Sequence, residues 1–191
     1  MTYQPPTKIA PLPVKLRVED YLLLDGAGAF DAYAKTELVD GEILATNAQY
    51  RPHMFVKSEL AFAMRTALTS IGSALFVGTE ASMEMSIHNM AEPDILLTSQ
   101  PRGDGPVPLA SVALIVEVAD ASLENDLNRK AMLYARHGIA EYWVADVNGL
   151  AVRQMWAPRH GSYAEARNTP FGTDIEAVTI TGMRVATTAL L

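Results

Sequence analysis

The chain has 191 residues, 49% of them hydrophobic and 19% charged, a balance suited to one folded domain with a substantial core. Its 22 acidic and 15 basic side chains give a formal net charge of −7, which argues against broad, nonspecific nucleic-acid binding through phosphate neutralisation. With no cysteine, disulfides, thiolate nucleophiles and zinc–thiolate sites are excluded.

The N-terminus lacks the basic-then-apolar order of a secretory signal, and no apolar run reaches the length of a membrane span, so a cytoplasmic location is expected. Pro5, Pro6, Pro11 and Pro13 suit an extended arm over residues 1–16, ahead of a single domain over 17–191. Arg17 to Leu24 reads as a short helix ended by Gly26 and Gly28. In TELVDGEILA, Asp40-Gly41 between two apolar-rich runs predicts a hairpin, because both central residues of a type I′ turn need positive φ. A helix is predicted over Pro52 to Ser70, with Val56, Leu60, Ala63, Ala67 and Ile71 forming its buried face and Gly72 its stop.

Three strands are predicted next, over Ala74–Val77, Met83–Ile87 and Asp94–Thr98, followed by an exposed loop from Pro101 to Pro108. Val112 to Val118 is apolar almost throughout, as a central strand covered on both faces should be. Asn125 to His137 reads as a helix with Gly138 at C′, and Glu141 to Val147 as a further strand. A turn at Asn148-Gly149 then leads into a returning strand, Ala151 to Trp156, and the tail reads as short strands. The pattern is an α/β (α+β) domain: a mixed central β-sheet flanked by helices. From Leu127 to Arg167, six bases face three acids, so a local basic surface and scattered solvated arginines are both open readings.

Two acids stand where burial is expected. Asp94 opens the run Ile95-Leu96-Leu97, and Glu117 interrupts VALIVEV. An isolated buried carboxylate is costly, so each needs a cation, a hydrogen-bond network or a metal. On consecutive strands the two could converge on one hard divalent ion, or each could meet its own turn or arginine. Asp126, Lys130 and Tyr134 lie at i, i+4 and i+8 of the following helix and so share one stripe. Tyr134 suggests that this stripe faces inward, which would bring Lys130 to the end of a neighbouring strand; an exposed Asp–Lys pair is the plainer alternative.

Pro93-Asp94, Glu117 in an apolar strand and a following lysine together resemble the PD-(D/E)XK nuclease superfamily. The order TELVDGEI, a helix entered near His53, EPDILL, LIVEVADAS and NDLNRKAMLYARHGIAEYWVAD resembles, more narrowly, the putative restriction endonuclease family, a Uma-type domain of unknown function. The resemblance spans roughly Thr36 to Met155, and its most specific part is K-x-x-x-Y-x-x-x-G-I-x-E-Y-W-V-x-D after the E-V strand.

The resemblance implies a restriction-endonuclease-like fold and a metal-dependent (Mg²⁺ or Mn²⁺) endonuclease acting on DNA as a homodimer. On it, Asp94 and Glu117 are metal ligands, the main-chain carbonyl of Val118 is a further ligand, and Glu37 is an additional acid that completes the site. Lys130 supplies the positive charge, in place of the motif lysine whose usual position is Ala119. His53 is a recurrent helix-start histidine with an accessory role. Two alternatives stay open: a nuclease-fold module that binds DNA or protein without catalysis, and hydrolysis of another phosphoester. Asp120 and Ser122 read as caps of the approaching helix, and Tyr142 and Trp143 as core.

Overall fold

In the computed structural model, which describes residues 12–46 and 49–191, the first half runs α1 (Val18–Gly26), β1 (Lys35–Val39), β2 (Glu42–Thr46), α2 (Arg51–Ser70), β3 (Phe76–Thr79), β4 (Met83–Ser86), β5 (Asn89–Ala91), β6 (Ile95–Thr98) and β7 (Val107–Pro108). The second half runs β8 (Val112–Ala119), α3 (Leu123–Asn125), a π-helical turn (Asp126–Lys130), α4 (Ala131–Arg136), β9 (Glu141–Asp146), β10 (Ala151–Arg159), β11 (Ser162–Pro170), β12 (Ile175–Glu176) and β13 (Arg184–Val185). Most of the expected N-terminal arm, residues 1–11, lies outside the described residues. Among the described residues no helix is long and apolar enough to cross a membrane.

The α+β reading holds, and the central sheet is mixed. Six strands lie in the order β11-β10-β9-β8-β6-β3, with β8 and β9 parallel and the other neighbours antiparallel. The sequence does not announce a second sheet of five short strands, in the order β2-β1-β5-β4-β7. Asn89–Ala91, between two expected strands, is its central strand, pairing with both β1 and β4.

β8 is buried on both faces, which explains its nearly unbroken apolar run. Leu114, Val116 and Val118 pack with Ile95, Leu97, Trp143 and α2. Ile115 and Ala119 pack with Leu96, Tyr142, Val144 and Tyr134 on the opposite side. Strand alternation therefore turns Glu117 toward the second face, away from the α2 core.

α2 carries Pro in its first turn and buries Val56, Leu60, Met64, Ala67 and Leu68 along one side. Ile71 is exposed, contrary to the periodic expectation, because the helix ends at Ser70 and Ile71 leaves the stripe as its C-cap. The Asp40-Gly41 hairpin forms with φ of 51° and 73°, as a type I′ turn requires. A Cβ on Gly41 would stand 2.7 Å from the Lys15 Cβ. At Asn148-Gly149 the left-handed residue is instead Leu150, and the Asp146 carboxylate accepts the N–H groups of both Asn148 and Gly149.

The helix expected over Asn125–His137 is interrupted by the π turn, in which the Asp126 carbonyl accepts the N–H of Ala131 and the hydroxyl of Tyr142. Gly138 takes the left-handed conformation directly after it, as a C′ glycine should. Ser122 stands at the N-cap of α3, but its hydroxyl donates to Asp126 Oδ2 (2.6 Å) instead of capping, and Asp120 accepts from Asn148. In the tail, β11 is nine residues long, so only β12 and β13 are the short strands expected there.

Candidate active site

The register of β6 against β8 pairs Ile95 with Val116, so one step beyond β6 Asp94 stands opposite Glu117. Directly opposed residues of an antiparallel pair share a face, with Cβ atoms about 4.5–5.5 Å apart. Both carboxylates are buried and open onto one cleft of about 580 Å³, which Glu37, Asp120, Asp126, Lys35 and Lys130 also line. The stripe of Asp126, Lys130 and Tyr134 does face inward, and all three side chains are buried.

Each acid has its own set of donors. Asp94 Oδ2 accepts the N–H of Val118 (2.8 Å) and meets His53 Nε2 (3.2 Å), while Oδ1 accepts from Gln49 Nε2 (3.1 Å). Glu117 Oε1 accepts from Lys130 Nζ (2.9 Å) and from the Tyr134 hydroxyl (2.7 Å). Glu37 Oε1 accepts the N–H of Glu92 (2.8 Å), and its Oε2 lies 3.2 Å from Lys130 Nζ. Lys130 thus sits between Glu37 and Glu117. Glu92 is itself paired with Lys35, whose Nζ donates to the Glu92 carbonyl and lies 3.7 Å from its carboxylate.

The donors set the charges. Burial pushes the Asp94 carboxyl up, but the hydrogen bond and charge of His53 and the Val118 N–H outweigh it, and the group falls to about 2. Burial also pushes Lys130 down, and Glu117 and Glu37 more than offset it, so the lysine keeps its proton. Within this pair Glu117 is the member that resists ionisation: burial, Asp94, Asp126 and Glu37 all act on it against one lysine. Asp126 is raised for the same first reason, burial. Tyr134, raised well above its usual value by burial and by Glu117, stays a donor to that carboxylate.

Asp94 thereby gives the fold a pH signature. Its folded value lies below the ordinary 3.8, so its stabilisation is fully present above that value and is lost as pH falls through about 2. In the acid range, where Glu117 already carries its proton, Asp94→Asn should lower the unfolding free energy by about 2 kcal/mol at the upper end. The gap should close as the pH approaches about 2. Denaturant titrations of both proteins across that range measure it; a gap independent of pH would rule out the low value.

Five acidic side chains and two lysines line the cleft, a local excess of oxygen donors. Among the described residues no three His, Asp or Glu side chains are arranged to hold one ion. Glu37, expected to complete such a set, turns its oxygens to Lys130 and the Glu92 N–H. Two opposed carboxylates with a nearby main-chain carbonyl still suit Mg²⁺, which takes one or two protein carboxylates and keeps several waters. His53 lies against Asp94, and its Nδ1 is buried with no hydrogen-bond partner among the described residues.

Sequence reasoning missed Gln49 and Lys35 as parts of the site. Lys35 lies two residues before Glu37 in β1 and so shares its face. Gln49, His53 and Lys57 fall at i, i+4 and i+8, and Lys57 Nζ donates to both Gln49 Oε1 and Glu80 Oε1 at 2.6 Å. The Lys35–Glu37 alternation was the available signal; Gln49 precedes the helix and shares no helical stripe with His53.

The model of a family described as Uma2, putative restriction endonuclease, matches residues 18–188. Among solved structures, the chain is similar to the crystal structure of a putative nuclease belonging to DUF820 from Anabaena variabilis ATCC 29413. The TM-score is 0.62 at 14% identity, over 81% of this chain and 88% of that one, a likeness that shows the fold. No curated protein matches.

Proposed function

Because the chain belongs to the Uma2 family of putative restriction endonucleases, we propose that it is a divalent-metal-dependent nuclease that hydrolyses DNA phosphodiester bonds in the Asp94–Glu117 cleft. The observation that carries this reading is the pair of opposed, buried carboxylates in a cleft whose acids outnumber its lysines. Asp94, Glu117 and the Val118 carbonyl would hold Mg²⁺ or Mn²⁺. When bound, such an ion lowers the pKa of a water and takes up charge on the phosphodiester oxygens.

The chain's own residues do the rest. His53, Gln49 and the Val118 N–H fix Asp94 in its ionised form. Tyr134 orients Glu117, and Glu37 holds Lys130 beside it. Lys130, always protonated, offers a fixed positive charge where negative charge grows on the reacting phosphate. Cutting both strands of a duplex calls for two such centres, and a homodimer would supply them.

Purified protein with Mg²⁺ or Mn²⁺ should nick or linearise plasmid DNA, and Asp94→Ala and Glu117→Ala should reduce the rate by at least about a hundredfold. Calorimetric titration with Mn²⁺ should lose its binding heat in the same variants. Cleavage that survives both substitutions would reject the assigned centre.

One observation favours a second reading, a nuclease-fold module that binds nucleic acid without cutting it. Both oxygens of Asp94 already have protein donors, and among the described residues no third acid joins the pair. Salt-dependent retention of DNA with no turnover in any divalent ion would select that reading.

A further inference from the structure

Tyr50 is the N-cap residue of α2, and its carbonyl accepts the helix bond from the Met54 N–H, so its backbone is held. Three residues later in the same turn, His53 meets Asp94. Tyr50 lines the cleft, yet it is 71% exposed, an uncommon state for a tyrosine beside a buried acid centre.

Among the described residues, both lysines that line the cleft are paired, and so are Lys57 and Arg129 nearby. Lys130 lies between Glu37 and Glu117, Lys35 is held by Glu92, Lys57 by Gln49 and Glu80, and Arg129 reaches Glu42 at 3.4 Å. A duplex gains most of its affinity from neutralising many phosphates with free Lys and Arg. The lining of this cleft, five carboxylates against two paired lysines, supplies little of that. Stacking of a base on an aromatic ring needs no basic surface, and it requires a base that is not paired.

We infer that the cleft takes an unpaired polynucleotide strand in preference to a duplex, with the Tyr50 ring stacking on the base next to the phosphate at Asp94 and Glu117. The inference rests on the nuclease reading for the kind of ligand, and it adds which form of nucleic acid enters. It assigns Tyr50 to substrate binding.

Binding is measured by fluorescence anisotropy with a labelled oligothymidylate and with a hairpin duplex of the same nucleotide number. Ca²⁺ is the ion, since it takes oxygen ligands as Mg²⁺ does. The single strand should bind about tenfold more tightly than the hairpin, with a shallower dependence on salt than a duplex shows. Tyr50→Ala should lose about tenfold in single-strand affinity, Tyr50→Trp should retain it, and both variants should melt with the wild type. Equal or tighter binding of the hairpin, binding of neither probe, or an unchanged Tyr50→Ala would each overturn the inference.

Cleavage is scored separately with Mg²⁺. No cleavage with the single-strand preference intact defeats the nuclease reading and leaves this inference standing. Duplex cleavage indifferent to Tyr50→Ala does the reverse.

Discussion

Lys130→Met is expected to destabilise the protein by about 3–5 kcal/mol near neutral pH and to lower any cleavage rate roughly a hundredfold or more. The change keeps an unbranched apolar stem, one atom shorter, and removes the charge together with the ammonium donors to Glu117 and Glu37. Two carboxylates, Glu117 at 2.9 Å and Glu37 at 3.2 Å, then lose their shared cation inside the protein. Glu117 can respond by taking up a proton, because it already resists ionisation, whereas Glu37 keeps only the Glu92 N–H. Urea denaturation measures the loss, and the double variant Lys130→Met/Glu117→Gln completes a mutant cycle. The pair should be less costly together than the sum of the single changes by about 1–3 kcal/mol. A loss below about 1 kcal/mol for Lys130→Met would mean that the lysine pairs as weakly as an exposed one.

The second large effect is expected on the opposite face of the sheet, at Glu141. This residue is fully buried at the start of β9 and faces the α2 side of the sheet with Trp143. Its Oε1 accepts from Trp143 Nε1 (2.6 Å) and Gln154 Nε2 (3.4 Å). Its Oε2 accepts from the N–H groups of Val178 (2.9 Å) and Thr179 (2.8 Å) and from the Thr179 hydroxyl (2.9 Å). Hydrogen bonds to a charged acceptor are worth about 1.5–3 kcal/mol each, and donors stranded in the interior lose their solvation as well.

Glu141→Ala should therefore cost about 3–5 kcal/mol, and Glu141→Gln, which offers one acceptor oxygen, somewhat less. Because the donors lie at 178–179, the segment from Phe171 to Leu190 that packs on α2 should loosen first. Hydrogen exchange in that segment, compared with β8 and β9, checks this. Uniform exchange across the sheet would point to global unfolding instead.

Much of this architecture was legible because its signals are local. The Asp40-Gly41 turn, the stripe of α2 and the apolar run of β8 each state their structure within a few residues. The second sheet was not, since β4, β5 and β7 are four, three and two residues long and pair through distant partners. The π turn was hidden for a different reason: a spacing of Asp126, Lys130 and Tyr134 at four residues fits an unbroken α-helix equally well. At the site, Asp94 and Glu117 stood out as acids in apolar strands, and strand register brings them opposite each other. Gln49 was obscured because it is an exposed amide in the connection ahead of α2, outside any periodic stripe. The role of Glu37 as a partner of Lys130 depends on the approach of one sheet to a helix, which no local pattern encodes.

The two neighbouring central strands each carry one buried acid, turned to opposite sides of the same sheet. Glu117 opens toward the cleft, while Glu141 closes the layer beneath α2. Alternate positions of β8 and β9 are thus open to separate selection. A lineage can exchange Leu114, Val116 or Trp143 for residues of similar volume without altering the cleft, or lose the cleft's acids and keep the sheet. Working and silenced copies of this domain would then share one outline, and along β8 and β9 a comparison of paralogues would tell them apart at alternate positions.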